Sequence, residues 1–306
     1  MISDLKKITL ILTCFNEQEN IQQLLDDVIN LEYKPYEMIV VDAGSTDGTL
    51  AQLASYKSKF AAQQIDLHIH IHPKVGIAEG RNLAIGYSCS DLIAVTDAGC
   101  RIDSAWLKNI TKPLLENKAD FVGGFFLPVA YSPLQRALAL LTTARRPGRN
   151  FMPSSRSVAF RKSVWLKAGK YPEWLQWGED TLFNKLCLTS GARYEIAADA
   201  IVHWEVRRSW QAIAKQFYRY AYGDGLARRV TWSLLSSPLI YFSSILSAIF
   251  FSPLWLLIIP LYAVSWPLRR GAFTLQNFIF ALGLAALIQF SRSRGYIRGL
   301  FDSIKY

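Results

Sequence analysis

Two long stretches without charge set the plan of this chain. From Trp232 to Trp266, and again from Ala272 to Phe290, no Asp, Glu, Lys or Arg occurs, whereas everything before Arg229 mixes charge into ordinary globular patterns. Hydrophobic residues make up 51% of the 306, and the excess sits in these runs. A helix over the first run would extend roughly 50 Å, past the bilayer's apolar thickness of about 30 Å. It must tilt, break or turn, and Pro253 and Pro260 mark where. One kinked span and a pair of short re-entrant halves both fit. The second run is long enough to cross a membrane once.

The formal net charge of +10 suits nucleic acid, anionic lipid or phosphorylated substrates. Its placement selects among them. Arg228 and Arg229 precede the first apolar run, and Arg292, Arg294, Arg298 and Lys305 follow the second, as positive cytoplasmic flanks do around a membrane hairpin. A generic solvated basic surface is the competing reading. The expected partners therefore include membrane lipids and exclude nucleic acid. The predicted divisions are a cytosolic domain over 1–225, a basic juxtamembrane segment over 226–231, an anchor of two or three hydrophobic segments over 232–290 and a basic cytoplasmic tail over 291–306. Arg269 and Arg270 are then left in the external turn. The apolar run Ile8 to Phe15 is too short for a signal peptide and reads as a buried strand. Cys14, Cys89, Cys100 and Cys187 have no zinc-type spacing and are expected as reduced thiols.

Ile8 to Phe15, Met38 to Val41 and Leu92 to Val95 are short continuous apolar runs, the pattern of strands covered on both faces of a parallel sheet. Between the first two, Ile21, Leu24, Leu25, Val28 and Ile29 form a helical stripe, with Asn16 as its expected cap and Glu19 three residues on. Ile65, Leu67, Ile69 and Ile71 alternate with Asp66, His68, His70 and His72, a half-buried strand whose histidines admit a metal site or an ordinary polar edge. Ser132 with Pro133 opens a helix, Thr181 to Leu188 belongs to another, and Gly191 stands at its C-terminal cap. The basic stretch from Arg136 to Lys170, with Arg-Arg-Pro-Gly-Arg at 145 to 149, is expected to include a mobile loop facing lipid headgroups or a lipid diphosphate.

Polar residues gather where the strands end: Asn16 and Glu17 after the first, Asp42 after the second, Asp97 after Leu92 to Val95. In open α/β sheets that edge binds ligands. Five segments there, Thr-Cys-Phe-Asn-Glu-Gln-Glu-Asn (13–20), Val-Val-Asp-Ala-Gly-Ser-Thr-Asp-Gly-Thr (40–49), Gly-Ile-Ala-Glu-Gly-Arg-Asn (76–82), Thr-Asp-Ala-Gly-Cys (96–100) and Gly-Glu-Asp-Thr (178–181), resemble the motifs of family 2 glycosyltransferases in that family's order. The resemblance implies an α/β domain of the GT-A fold, a Rossmann-like mixed sheet flanked by helices, here followed by C-terminal transmembrane helices. It implies a UDP- or GDP-linked nucleotide-sugar donor, a divalent metal (Mn²⁺ or Mg²⁺) and inversion at the anomeric carbon.

Carried over by position, Thr13, Phe15, Asn16, Glu17 and Asp42 would line the nucleoside pocket, with Asp42 on the base, and Gly76, Arg81 and Asn82 would adjoin the nucleotide and diphosphate. Asp97 stands for the first acid of the family's DxD motif. Gly99 holds the place of the second, and a hard cation prefers several oxygens, so the metal ligands expected are Asp97 and, from Ile-Val-His-Trp, His203. A structural hydrogen bond is the other reading of His203. Asp180 is the candidate base, and Glu179 and Trp177 beside it are candidates for acceptor or diphosphate contact; a helix-dipole role explains the two acids equally in isolation. Gln216, Arg219 and Tyr220 approximate the QxxRW motif of processive members and would bind diphosphate or acceptor, unless they belong to an amphipathic helix on the membrane.

The function expected is transfer of a sugar to a membrane-associated acceptor, a lipid-linked saccharide of cell-surface glycan synthesis, at the cytoplasmic membrane with the catalytic domain facing the cytosol. A polyprenyl-phosphate glycosyltransferase and a non-catalytic nucleotide-sugar-binding scaffold are the alternatives. A sugar-nucleotidyltransferase would need a glycine-rich phosphate loop after the first strand, and Thr-Cys-Phe-Asn-Glu provides none.

Overall fold

A computed structural model of the chain describes residues 7–143, 147, 151–230, 232–270 and 274–304. In chain order the first elements are β1 (Ile8–Cys14), α1 (Ile21–Ile29), β2 (Glu37–Asp42), α2 (Thr49–Ser55), α3 (Lys57–Ala62), β3 (Asp66–Ile71), α4 (Ile77–Tyr87), β4 (Leu92–Val95), β5 (Cys100–Ile102), α5 (Trp106–Leu115) and β6 (Phe121–Val129). Then come α6 (Pro133–Thr142), β7 (Val158–Arg161), α7 (Lys162–Lys167), α8 (Glu179–Thr189), β8 (Tyr194–Glu205), α9 (Trp210–Leu226), α10 (Trp232–Phe250), α11 (Ile258–Arg269) and α12 (Leu275–Ser303). The strands form one eight-stranded sheet in the order β3-β2-β1-β4-β7-β6-β8-β5.

The three expected apolar strands are present and adjacent. β1 pairs with β2 and with β4 in parallel, and β3 extends the parallel half as its edge. β7 then turns the sheet antiparallel, pairing with β4 and β6. Alternate residues of β1 serve opposite faces: Leu10 and Leu12 join Leu24, Met38 and Trp106 on one side, while Ile11 joins Ile39, Val95 and Phe160 on the other. This double burial is why the runs carry no polar alternation.

Two caps behave as the sequence predicts. Ser132 Oγ accepts from Gln135 N at 3.2 Å and Gln135 Oε1 accepts from Ser132 N at 3.0 Å, a reciprocal box worth about 1 kcal/mol to α6. Gly191, at φ +84°, ends α8. The expected cap of α1 is displaced. Asn16 turns the chain at φ +54°, and α1 begins five residues later, with Glu17 O accepting from Asn20 N and Ile21 N.

The chain divides into two units, Met1–Leu127 with Ala144–Trp204, and Pro128–Thr143 with Glu205–Tyr306. Within the second, the first apolar run breaks at Pro253 and not at Pro260: α10 ends before Pro253, a 3-10 turn spans Pro253–Leu257, and α11 has already begun at Ile258. The second run does not end at Phe290. It continues as one 29-residue helix, α12, through Arg292, Arg294 and Arg298. Among the described residues α12 is the one helix long and apolar enough to cross a membrane, by length and composition.

The C-terminal part of α12 packs on α9 with their backbones in contact. A Cβ on Gly295 would stand 2.2 Å from Tyr218 O, on Gly299 2.2 Å from Tyr222 O, and on Gly225 2.4 Å from Tyr296 O. Only glycine permits this approach. Arg228 donates from Nη2 to Ser303 O at 3.0 Å, and Arg229 pairs with Asp224, so these two flanking cations are tied to protein. Of the basic run at 145–149, all but Pro147 lies outside the described residues, as does Lys305.

Candidate active site

The site residues of the first unit converge because β1, β2 and β4 run in parallel and end on one edge. α4 is pressed against that edge: a Cβ at Gly80 would lie 3.0 Å from Thr13 Cγ2 and 3.6 Å from Val41 Cγ1. The loops after β1 and β2 are stitched together. Asn16 N donates to Ser45 Oγ (2.8 Å), Thr46 N to Asn16 Oδ1 (2.9 Å), Glu17 N to Thr49 Oγ1 (2.8 Å) and Gly48 N to Gln18 Oε1 (2.7 Å). Phe15 stands beside this seam, 55% exposed, and Thr13 is half-buried behind it.

Asp42 is fully buried and organises the second loop. Its Oδ1 accepts from Gly44 N (2.9 Å) and Ser45 N (2.7 Å), its Oδ2 from Ser45 Oγ (2.6 Å) and from the Cys14 thiol (3.4 Å). Burial, followed by the Asp42 charge, pushes that thiol well up and keeps it protonated. Asn82 is engaged likewise. Its amide donates to Tyr171 O (2.9 Å) and Glu173 Oε1 (2.8 Å) and accepts from Trp165 Nε1 (2.9 Å) and Tyr171 N (3.0 Å). Both side chains hold loops in place with their hydrogen-bonding atoms already occupied.

Arg81, on α4 and buried, is the centre of the site. Its Nη2 lies 2.8 Å from Asp97 Oδ1 and its Nη1 2.8 Å from Glu179 Oε1. Burial opposes its charge, and Asp97 and Glu179 outweigh burial, so the guanidinium stays charged. Glu179 is itself buried, and desolvation pushes its carboxyl up to about 7 against the pull of Arg81. The shift measures what burial costs even a well-paired ion.

Asp180 follows directly, half-buried in the first turn of α8. Its Oδ1 accepts from Thr181 N at 2.7 Å, and its Oδ2 accepts from Ser154 Oγ at 3.2 Å and Ser155 N at 3.4 Å. Gly178, at φ +79°, sets the turn that places both acids, a conformation an L-residue adopts only with strain. Ser154 also accepts from Arg156 Nη1 (3.1 Å), and the Arg156 guanidinium lies 4.2 Å from the Trp204 ring centroid. Sequence reading passed over Ser154, Ser155 and Arg156; they sit inside the basic stretch assigned to lipid contact. Trp177 is half-buried beside the acids.

Each expected metal ligand has a protein partner of its own. His203 Nε2 lies 2.8 Å from Asp103 Oδ1, Asp97 is engaged by Arg81, and among the described residues no three His, Cys, Asp or Glu side chains gather as a metal-binding group. These side chains do not by themselves fit a divalent cation. The β3 histidines make contacts of their own: the His70 ring stacks on Tyr87 at 4.1 Å between centroids, and His72 Nε2 lies 3.0 Å from the Tyr87 hydroxyl.

Space at the site is kept open at two glycines. A Cβ at Gly76, which caps α4, or at Gly99 would meet nothing within 4 Å. Protein packing therefore does not require glycine at either position. In the second unit, Gln216 is buried on α9 and donates to the Tyr220 hydroxyl at 2.8 Å, while Arg219 is half-buried on the same helix.

A mixed α/β sheet with flanking helices, its acidic groups at the carboxyl edge of the parallel half, is the architecture of the GT-A fold. The chain belongs to glycosyl transferase family 2, whose sequence pattern matches residues 9–165. It is similar to Glycosyltransferase AglE of Haloferax volcanii, 27% identical over 225 residues, 71% of this chain and 73% of that protein. A poly-beta-1,6-N-acetyl-D-glucosamine synthase of Staphylococcus epidermidis is 30% identical over 96 residues, 31% of this chain and 22% of the relative. Among solved structures, S. aureus TarS 1–349 in complex with UDP-GlcNAc superposes with a TM-score of 0.53 at 17% identity, covering 93% of this chain and 91% of that one. Mannosyltransferase PcManGT from Pyrobaculum calidifontis, in complex with GDP-Man and Mn²⁺, gives a TM-score of 0.59 at 17% identity, covering 97% and 87%.

Proposed function

We propose that this glycosyltransferase moves a sugar from a UDP- or GDP-linked donor, with inversion, to a membrane-associated acceptor, a lipid-linked saccharide of cell-surface glycan synthesis. The observation that carries the reading is the bridge Asp97–Arg81–Glu179, buried at Arg81 and Glu179, with Asp180 next in line. It ties the carboxyl edge of β4 to the start of α8, so the acid expected on the donor and the acid expected on the acceptor are held by one side chain.

In the proposed step Asp180 takes the proton of the acceptor hydroxyl as that oxygen bonds to the anomeric carbon. The bond from this carbon to the β-phosphate oxygen breaks, and the nucleoside diphosphate leaves with the electron pair. Ser154 and the amides of Ser155 and Thr181 orient the Asp180 carboxylate. Thr13, Phe15, Asn16 and Glu17 are assigned to the nucleoside, and the open space at Gly76 admits the donor's close approach. Asn82 and Asp42 act by positioning, since their polar groups are engaged with protein; Arg81 does so through its two terminal nitrogens, while its buried Nε has no partner among the described residues. Gln216, Arg219 and Tyr220 are assigned to the acceptor side. Mn²⁺ or Mg²⁺ belongs to the reading by family, and no step here runs through it.

Membrane association is proposed from α12 and from the resemblance to a polysaccharide synthase, with the catalytic domain on the cytosolic side. The test is incubation of the full chain with a panel of UDP- and GDP-sugars and a lipid-linked saccharide extract, with Mn²⁺, with Mg²⁺ and with EDTA. Product of inverted anomeric configuration is expected. Donor binding without transfer or nucleotide release under every condition overturns the reading in favour of a scaffold, and transfer to bare polyprenyl phosphate alone corrects the acceptor.

A further inference from the structure

The second unit carries a groove of about 780 Å³ along the outer face of α12 beside α9. Phe290, Arg294, Ile297, Arg298 and Phe301 line it from α12 and Tyr218 from α9; a neighbouring hollow that shares Tyr218, Phe290 and Arg294 adds Lys215. On α12 these positions follow one another at helical spacing, so they form a single stripe. It is not the stripe that packs against α9, which runs through Ser291, Gly295 and Gly299.

The groove combines exposed apolar side chains with cations. Phe290, Ile297 and Phe301 are 68%, 53% and 65% exposed. No acidic residue lines either hollow. Most cations of this region are committed: Arg229 to Asp224, Arg228 to Ser303 and Arg298 to Asp302 at 2.9 Å. Arg294 and Lys215 are exposed and, among the described residues, have no acidic or hydrogen-bonding partner. They stand where the apolar half of α12, the candidate membrane segment, gives way to its charged half. A chain that leaves the hydrocarbon at this level meets the headgroups, and aromatic and cationic side chains are the types that settle there.

We propose that this groove binds an anionic membrane phospholipid, with its phosphate between Arg294 and Lys215 and an acyl chain running from there along Phe290 toward the apolar half of α12. The proposal rests on the membrane-associated reading above for where the lipid is met; its test reads lipid binding and not sugar transfer, so either can fail alone.

The experiment titrates the full chain, in micelles of a neutral detergent, with phosphatidylglycerol and separately with phosphatidylcholine of the same acyl chains, and counts bound lipid by native mass spectrometry. Phosphatidylglycerol is expected to bind more tightly. Arg294→Gln and Lys215→Gln should each weaken it roughly fivefold, and the pair about twenty-five-fold. Lys57→Gln, an exposed lysine on α3, serves as the control and should change nothing. Equal binding of the two lipids, or phosphatidylglycerol binding unmoved in the double variant, overturns the proposal. Displacement of the lipid by inorganic phosphate at equal concentration overturns it in favour of a free-phosphate site. Displacement by a polyprenyl phosphate at a tenfold lower concentration overturns it in favour of an acceptor site.

Discussion

Arg81 Nη1 stands 2.8 Å from Glu179 Oε1, joining residues 98 positions apart in the chain. Arg81→Met leaves Glu179 buried without its cation and Asp97 without its partner. The expected loss is about 3–5 kcal/mol of stability, measured by denaturant unfolding. Adding Glu179→Gln should recover part of it, because the amide needs no counter-charge, while transfer stays low in both variants. Additive losses in the double variant would show that the ion pair does not couple the two residues.

Glu179 also sets a pH dependence. Its folded value of about 7 lies above the ordinary 4.5, so its contribution to stability is full below pH 4.5 and is lost as pH rises through 7. The ion pair with Arg81 has the opposite need, since it is complete only when Glu179 is ionised. The expected result is a kcat/KM that rises with pH and levels off above about 7. In Glu179→Gln this limb should be absent, and stability between pH 4.5 and 7 should become flatter than in the native chain.

Asp180→Asn keeps the shape of the side chain and removes the base. Transfer should fall by a factor of about 10²–10⁴, with donor KM changed little. Ser154→Ala, which removes one hydrogen bond to Asp180 Oδ2, should lower kcat by a smaller factor with the same KM. Undiminished transfer in Asp180→Asn would assign the base elsewhere.

Two glycines separate a backbone requirement from room for a ligand. Gly178→Ala forces an L-residue to φ +79° and should cost about 1–2 kcal/mol, seen as a lower Tm together with a lower kcat. Gly76→Ala meets no protein atom within 4 Å at an ordinary φ of −73°, so Tm should stay within error while donor KM rises. A fall in Tm for Gly76→Ala would give that glycine a structural role.

Much of the first unit was legible because burial on both faces leaves a mark on local sequence. β1, β2 and β4 are apolar runs and α1 has its stripe; in the second unit Ser132 with Pro133 marks the start of α6. The carboxyl-edge acids were legible for the same reason, since a strand's end and the polar residue after it are neighbours in sequence. Asn16 was misread as a helix cap because its competing partner, Thr46 N, is 30 residues away.

The sequence by itself determined β1 to β4, the order of the motifs, the break near Pro253 and the placement of the basic residues after the second apolar run. Tertiary structure alone decided which polar atoms are already spent. Asp42 and Asn82 look like ligand groups in the chain and are saturated in the fold; Arg81 looks like a diphosphate contact and is bound between Asp97 and Glu179; His203 is paired with Asp103 and not with Asp97. It also decided that α12 runs past Phe290, because glycines at 225, 295 and 299 let two backbones touch. Local patterns report which side of an element is buried. The partner a buried charge finds depends on atoms brought from distant parts of the chain, and no spacing in the sequence encodes that distance.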